Sequence, residues 1–375
     1  MAVLTEEQTM LRDAAKGWAS ESAPVGALRK LRDGKSRQSF DPAAWAQMGE
    51  MGWAGVIVPE DYDGSAFGYL GLGLILEETG RTLAASPLLS TAMIAASALT
   101  LGGSDAQKSA WLPRIATGAA VATLAVDEGS HHNPARTALT ATKGDAGFVL
   151  NGTKTFVLDG EAADLLIVVA RTGGAGTEGL TLFLVPGDAP GVTRTHLSLL
   201  DSRGAAQIAF DAVEVGADAV LGEVDKGWAV LEPVLDRAYA GLAAEMLGSA
   251  SAAFDITLDY IKTRTQFGQV IGAFQALQHR AAKWFTDLET TRSCVEAALE
   301  ALDAGGDSRA LASLAKAKAS ELVHLASNEM VQMHGGIGMT DAHDSGLFMK
   351  RARVTEALFG GASFHRDRYA RLMGF

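Results

Sequence analysis

The sequence predicts a protein that is mainly α-helical with a β-structured middle segment. Residues 1–118 and 223–375 carry apolar side chains at helical intervals, whereas residues 119–222 change to the period of two that is typical of strands. Turn residues separate the short apolar runs of the middle segment. We therefore expect an N-terminal α-helical domain, a small middle β-sandwich or barrel, and a C-terminal helical bundle with these boundaries.

Helix-start signals support the N-terminal assignment. Thr5 and Gln8 have the spacing of a capping box, and Asp41 offers an N-cap side chain before Pro42, which is tolerated at the first helical position. Further helices are predicted at residues 69–82, 90–101 and 105–115.

The middle segment contains six apolar runs that predict strands. Asn151-Gly152 between two of them is a strong hairpin signal, because both residues tolerate the backbone angles of a tight turn. The strands are predicted at residues 121–126, 147–150, 154–158, 165–170, 180–185 and 206–210.

In the C-terminal segment, a polar corner separates two helical patterns. One pattern runs from about Gly227 to Tyr260, and the second starts at Phe274. Gly268 lies between them and is expected to end the first helix, because glycine readily adopts a left-handed conformation.

The polar residues of this corner suggest a binding site. Arg264 can chelate a phosphate with two donors, and the amides of Gln266 and Gln275 can both donate to and accept from a ring or sugar. The corner can therefore hold a flat anion. A helix hairpin with ordinary polar capping is the alternative.

The stretch from Arg264 to Gln275 resembles the signature Arg-x-x-Phe-Gly-x-x-Ile-x-x-x-Gln of the acyl-CoA dehydrogenase family, flavoproteins that desaturate thioesters. The resemblance runs over essentially the full length, and it implies a helical N-terminal domain, a β middle domain and a C-terminal four-helix bundle. It implies FAD as cofactor, with the adenosine diphosphate half held for the flavin of a neighbouring subunit. The residues implied here are Arg264, Gln266, Phe267, Phe274 and Gln275.

A second segment, Gln332 to Thr340, resembles the family's Gln-x-x-Gly-Gly-x-Gly turn. Without side chains, Gly335 and Gly336 let backbone N–H groups approach a phosphate. A glycine-rich helix C-cap is the alternative. With the first motif in the same segment, we interpret Gln332, Gly335 and Gly336 as cofactor-binding residues and His334 as a packed residue.

Composition and motifs exclude several other classes of protein. The 375 residues are 48% hydrophobic and 20% charged, as in globular proteins, and the formal charge of −12 argues against nucleic acid as a partner. The single Cys294 excludes an internal disulfide, and His131-His132 lacks further ligands at metal spacing, so no metal site is predicted. Walker, nucleophile-elbow and nicotinamide-fold motifs are absent.

The sequence also predicts a cytoplasmic protein without membrane contact. The N-terminus lacks the basic start and the apolar core of a secretory signal. No apolar run approaches the roughly 20 residues that span a bilayer.

The family reaction needs a carboxylate that removes the α-proton of an acyl-CoA. The resemblance implies that this glutamate falls on Phe359 or, in a minority of relatives, on Ala238, and neither residue can take a proton. A small shift in the alignment would bring Asp236 to the second position, and Glu245 lies two helical turns further on, on roughly the same helix face, so both remain candidates. Glu356, one turn before Phe359, has a weaker claim.

The segments that would contact the flavin ring also depart from the family. Asp127 to Pro134 replaces the usual Thr-Glu-Pro-Gly-Ala-Gly-Ser-Asp loop, and Phe156 replaces a tryptophan that backs the ring. Leu158 replaces a threonine and cannot donate a hydrogen bond to the flavin. A negative Asp127 would disfavour the reduced flavin anion.

These patterns favour a heteromeric enzyme in which this chain completes the FAD site of a catalytic partner. Its substrate would be an acyl-CoA, and an electron-transfer protein would accept the electrons. The C-terminal pattern resembles the smaller subunits of bacterial two-subunit acyl-CoA dehydrogenases that act on bulky thioesters such as steroid side chains or dicarboxylates. That pattern is Gly-Gly-Ile-Gly-Met-Thr from residue 335, His343-Asp344, Lys350-Arg351 and Leu358-Phe359-Gly360.

Two alternatives remain. A self-sufficient homo-oligomeric dehydrogenase, dimer or tetramer, would use Asp236 or Glu245 as its base. A flavin oxidase, a monooxygenase or a non-catalytic binding protein would share the fold without the reaction.

Overall fold

The computed structural model of the chain describes residues 3–34 and 40–375. The chain divides into two compact units, one formed by Met1–Lys30, Gly73–Ala84 and Tyr239–Phe375, the other by Leu31–Leu72 and Ala85–Ala238. We call them the helical unit and the mixed unit.

The described helices are α1 (Glu6–Ser22), α2 (Val25–Asp33), α3 (Pro42–Glu50), α4 (Tyr69–Arg81), α5 (Ala96–Gly102), α6 (Asp105–Ala116), α7 (Trp228–Thr263), α8 (Gln275–Asp303), α9 (Arg309–His334), α10 (Ser345–Ala357) and α11 (Ala362–Leu372). The strands are β1 (Ala122–Ala125), β2 (Thr140–Lys143), β3 (Gly147–Leu158), β4 (Leu165–Arg171), β5 (Leu180–Pro186), β6 (Val192–Ser198), β7 (Gly204–Gly216), β8 (Val220–Leu221), β9 (Thr265–Gln266) and β10 (Gln269–Val270). Helices precede and follow a β-rich middle, and the predicted fold class is thus confirmed.

In the helical unit, α9 is the central element and packs against α8, α10 and α11. Its buried face is rich in alanine and serine, which lets neighbouring helices approach closely. The second half of α4 lies against α7. A Cβ on Gly248 would come within 1.8 Å of the Glu77 carbonyl oxygen, so glycine is required at this crossing.

The mixed unit is built on one eight-stranded sheet. The strand order is β6-β7-β3-β2-β4-β5-β8, and β1 pairs in parallel with β4. The long strands β3 and β7 pair antiparallel from Gly147↔Gly216 to Leu158↔Ala205. Strand β4 is buried along almost its whole length, which explains its continuous apolar run.

The predicted hairpin at Asn151-Gly152 is wrong. Both residues lie inside β3, where the pairing with β7 shifts register between Leu150 and Gly152. The Asn151 side chain accepts a hydrogen bond from the Ala212 N–H (2.9 Å), and Gly152 adopts φ +142°. The pair therefore accommodates a β-bulge instead of a turn, because β7 pairs with β3 on both sides of it and β2 pairs with β3 as far as Asn151.

The first helix of the polar corner ends earlier than predicted. Helix α7 stops at Thr263, and Gly268 belongs to a short hairpin between β9 and β10. Phe267 (φ +54°) and Gly268 (φ +79°) are both left-handed, as a type I′ turn requires. The glycine has the predicted conformation, but it closes a hairpin and does not end the helix.

Other differences are local. Residues 90–101, predicted as one helix, divide into a buried π-helical segment, Leu88–Ala95, and α5. The short β2 and the partly exposed β6 were not predicted from their weak alternation. Within residues 3–34 and 40–375, no helix is long and apolar enough to cross a membrane.

Candidate cofactor and active site

The hairpin after α7 presents Arg264 to solvent. Its backbone is fixed, since the Arg264 N–H donates to the Tyr260 carbonyl and its own carbonyl accepts from the Ile271 N–H, both at 2.8 Å. The exposed guanidinium makes no hydrogen bond or ion pair with any described residue. Phe267 at the tip is 89% exposed, and its ring meets Phe274 edge-on at 6.2 Å.

The glutamines of the corner are also exposed. Gln266 donates its side-chain N–H to the Thr265 carbonyl (2.8 Å), which leaves its amide oxygen available. Gln275 is the first residue of α8. The hairpin and the start of α8 thus combine a cation, two amides and an exposed aromatic ring.

The predicted glycine turn directly follows α9. Gly335 caps this helix with a positive φ (+63°), and its N–H donates to the carbonyls of Val331 and Gln332. A Cβ on Gly335 or Gly336 would meet no atom within 4 Å, so the space beside the turn is open. Gln332 is exposed.

A stack of three rings joins the hairpin to the glycine turn. The Tyr260 ring lies 4.3 Å from that of His334 with an interplanar angle of 30°, and the His343 ring also lies 4.3 Å from that of His334, at an angle of 43°. Tyr260 precedes Arg264 by one helical turn, and His334 directly precedes Gly335. The two segments that were predicted separately are therefore neighbours within the helical unit.

Arg29 anchors the loop after the glycine turn, and sequence reasoning did not find it. Its guanidinium donates to the Asp341 carbonyl (2.6 Å) and to the Asp344 carboxylate (2.7 Å). The acidic pair Asp341 and Asp344 was the available signal, but nothing in the sequence identified Arg29 as its partner.

A buried aromatic cluster surrounds Phe359, the position predicted from the sequence to correspond to the family's glutamate. Phe359 is 5% exposed and left-handed (φ +54°), and Gly360 follows with φ +94°. The His365 Nε2–H donates to the Phe359 carbonyl (3.0 Å), and the Tyr239 ring packs edge-on against His365 at 4.6 Å. The turn is well supported but contains no carboxylate.

A buried lysine, which the sequence did not indicate, donates hydrogen bonds to the backbone of this turn. The Lys316 ammonium donates to the carbonyls of Thr355 (3.1 Å) and Gly360 (3.0 Å) and to the Ser320 hydroxyl (3.1 Å). Its complete burial lowers the pKa of Lys316 to about 7, against the opposing attraction of Glu356.

The candidate acidic residues are either paired with a basic residue or buried. Glu245 accepts two hydrogen bonds from Arg351, at 2.7 and 3.0 Å, in a buried ion pair between α7 and α10. Asp236 is buried on α7. Glu356 forms a partly exposed ion pair with Arg353 (3.0 Å) and also contacts His324.

The loop expected beside the flavin ring is fixed by two carboxylates. Both oxygens of Asp127 lie 2.9 Å from His132 Nδ1. Glu128 accepts from the buried Lys154 ammonium (2.7 Å) and from the N–H groups of Ala138 and Leu139. Burial lowers the pKa of Lys154 to about 8, although Glu128 acts in the opposite direction.

The residues that would face a flavin ring differ in exposure. Phe156 is 42% exposed and left-handed (φ +53°), whereas Leu158 is half-buried, and its carbonyl accepts from the Thr123 hydroxyl (2.7 Å). An aromatic face is thus accessible on β3, but the hydroxyl donor of the family is absent.

Helical segments precede and follow a β-rich middle, and an exposed hairpin with Arg264 and an open glycine turn lie in the same helical unit. Comparison with known proteins specifies the class. Residues 5–119, 122–213 and 225–374 match the models of the N-terminal, middle and C-terminal domains of acyl-CoA dehydrogenase. The chain belongs to the acyl-CoA dehydrogenase family, whose members bind FAD.

Individual known proteins are similar to this chain over almost its full length. The chain is 31% identical to the probable acyl-CoA dehydrogenase YngJ of Bacillus subtilis, with 97% of each chain covered. A solved variant of the Tcur3481-Tcur3483 steroid ACAD superimposes with a TM-score of 0.89 at 32% identity and 98% coverage of each chain. The ChsE4-ChsE5 complex of Mycobacterium tuberculosis gives a TM-score of 0.90 at 27% identity and full coverage of both chains.

Proposed function

We propose that this chain is the subunit of a heteromeric acyl-CoA dehydrogenase that completes the FAD site of a catalytic partner. The observation that carries the proposal is the contrast within the helical unit. The Arg264 hairpin is complete and exposed, whereas the Phe359 turn keeps its backbone support and lacks a proton acceptor.

The exposed groups fit the adenosine diphosphate half of FAD. The Arg264 guanidinium supplies a bidentate donor for a phosphate, and Gln266, Gln275 and Gln332 supply amides for the sugar and ring. Gly335 and Gly336 leave room for a phosphate beside the turn. The exposed ring of Phe267, packed against Phe274, gives the hairpin an apolar surface to bury against the neighbouring chain.

FAD supplies the hydride acceptor for the α,β-desaturation of an acyl-CoA thioester, and an electron-transfer protein accepts the electrons afterwards. The protein must supply the base for the α-proton, a contribution of roughly 10²–10⁴-fold. In this chain Phe359 and Ala238 are buried and cannot accept the proton. The base is therefore assigned to the partner.

The self-sufficient alternative rests on Asp236 and Glu245. The short contacts of Glu245 with Arg351 use its carboxylate within the helical unit. Asp236 precedes the Ala238 position by two residues on α7 and is buried, so it reaches that position only if the alignment shifts.

Two of the compared structures favour a two-chain enzyme. Their names pair Tcur3481 with Tcur3483 and ChsE4 with ChsE5, and the first is described as a steroid ACAD. A bulky thioester such as a steroid side chain is therefore the substrate class that we propose.

The test compares the chain purified alone with the chain purified together with the product of an adjacent dehydrogenase-like gene. We expect flavin absorption at full stoichiometry and acyl-CoA turnover only in the complex. Stoichiometric flavin with turnover from the lone chain would rule out the half-site assignment.

The variant Asp236→Asn tests the base. In the active assembly it should leave kcat within about threefold of the wild type, because the partner supplies the base. A loss of roughly 10²-fold or more in the folded variant would assign the base to this chain.

A further inference from the structure

A buried imidazole lies directly before the Gly335-Gly336 turn. His334 is 3% exposed, and its Nδ1 lies 2.7 Å from the Met330 carbonyl, so Nδ1 carries the hydrogen and donates it. The lone pair of the neutral ring is then on Nε2. This atom is buried and has no hydrogen-bond partner among the described residues. A buried polar atom without a partner costs about 1–3 kcal/mol and requires an explanation.

The neighbouring rings do not satisfy Nε2. Tyr260 and His343 both stack against His334. His343 Nδ1 accepts the Ser345 N–H (3.1 Å), which places the hydrogen of its neutral form on Nε2. Burial lowers the pKa of His334, and His343 lowers it further, while the bond to Met330 acts in the opposite direction.

The charged groups around the stack already have partners. Asp341 and Asp344, in the loop of His343, are paired with Arg29 of α2, and α7 contributes the uncharged Tyr260. No described carboxylate contacts His334. A protonated His334 therefore lacks a counter-ion in the chain itself, and an anion at the open glycine turn would provide one.

We propose that His334 binds a proton from solvent at Nε2 when the diphosphate of FAD occupies the Gly335-Gly336 turn. The inference rests on the proposed function, because it assumes that this turn holds the diphosphate. The two negative charges of the diphosphate favour the imidazolium, and the proton in turn strengthens the binding of the anion. Binding and protonation are thus linked, and FAD should bind more tightly as the pH falls.

The experiment is calorimetric titration of FAD into the flavin-free assembly of chain and partner at pH 6, 7 and 8. Two buffers with different ionisation enthalpies give the number of protons taken up. We expect net uptake of a fraction of a proton per FAD and binding about three- to tenfold tighter at pH 6 than at pH 8, since one unit of pKa shift corresponds to a factor of ten. This measurement uses the wild-type assembly and therefore does not depend on whether a variant folds.

Two variants locate the proton. His334→Gln should bind FAD without that uptake, and His324→Gln, an exposed position on the same helix, should behave as wild type. Circular dichroism melts establish that both are folded. FAD binding without proton uptake, or equal uptake in His334→Gln, would overturn the inference and leave the proposed function intact. Failure of the assembly to bind FAD would overturn both.

Discussion

At the scale of single residues, Phe359 occupies an unfavourable backbone conformation that its surroundings support. A bulky side chain at φ +54° costs on the order of 1–3 kcal/mol, so this conformation persists only where its surroundings impose it. Lys316 and His365 both donate to carbonyls of this turn. The sequence could show that Phe359 is not an acid. The sequence could not show the hydrogen bond from Lys316 to this turn, because Lys316 lies 43 positions away in a different helix.

Lys316 should give the protein a stability that rises with pH. Its folded pKa of about 7 is below the usual value of 10.5, so between these values the unfolded chain binds more protons than the folded chain. The free energy of unfolding should therefore increase by up to about 1.4 kcal/mol per pH unit between pH 7 and 10.5 from this group alone.

Denaturant titrations over this pH range measure the effect. Lys316→Met should lose this part of the slope, whereas Lys318→Met, a half-buried position on the same helix, should retain it. Identical slopes in wild type and Lys316→Met would show that the buried lysine keeps a normal pKa.

The buried pair Glu245–Arg351 should behave as a structural unit. Glu245→Gln takes the contacting carboxylate away from a buried guanidinium and should lower the free energy of unfolding by about 3–5 kcal/mol. The double variant Glu245→Leu/Arg351→Met should be less destabilised than the sum of the effects of Glu245→Leu and Arg351→Met measured separately. Strict additivity in this cycle would contradict direct coupling of the two side chains.

At the scale of elements, the close approach of α4 and α7 gives a direct test of packing. Gly248→Ala should cost about 1–3 kcal/mol, because the new methyl group would overlap the backbone of Glu77. Gly17→Ala in α1 meets no neighbour and should stabilise by about 0.5–1 kcal/mol. Chemical unfolding of the two variants measures both values. A neutral Gly248→Ala would mean that the helices can separate at little cost.

Local signals predicted elements well where local interactions decide them. The predicted capping box of α1 is present, and Asp41 caps α3 as its sequence indicated. Asn151-Gly152 misled because its local preference is for a turn, while the pairing partners that make it a bulge come from residues 140–143 and 204–216. Sequence pattern alone does not identify the partners of a strand.

At the scale of the whole molecule, the candidate site was only partly predictable. Two short motifs identified Arg264 and the glycine turn, and the stack of Tyr260, His334 and His343 links their segments. The stack could not be inferred, since its rings come from α7, the end of α9 and a loop. That the hairpin acts in a neighbouring chain remains a proposal that a variant of Arg264 can test.

The decisive measurement is the flavin content of the assembly that contains Arg264→Ala. Each complex is dialysed against a flavin-free buffer, and the FAD retained per assembly is measured by absorption. Arg280→Ala, which removes an arginine of α8 that is already paired with Glu329, serves as the matched control. If this chain holds FAD for its partner, Arg264→Ala should lose most of the flavin while Arg280→Ala keeps it. Full flavin retention in the folded Arg264→Ala assembly would contradict the account.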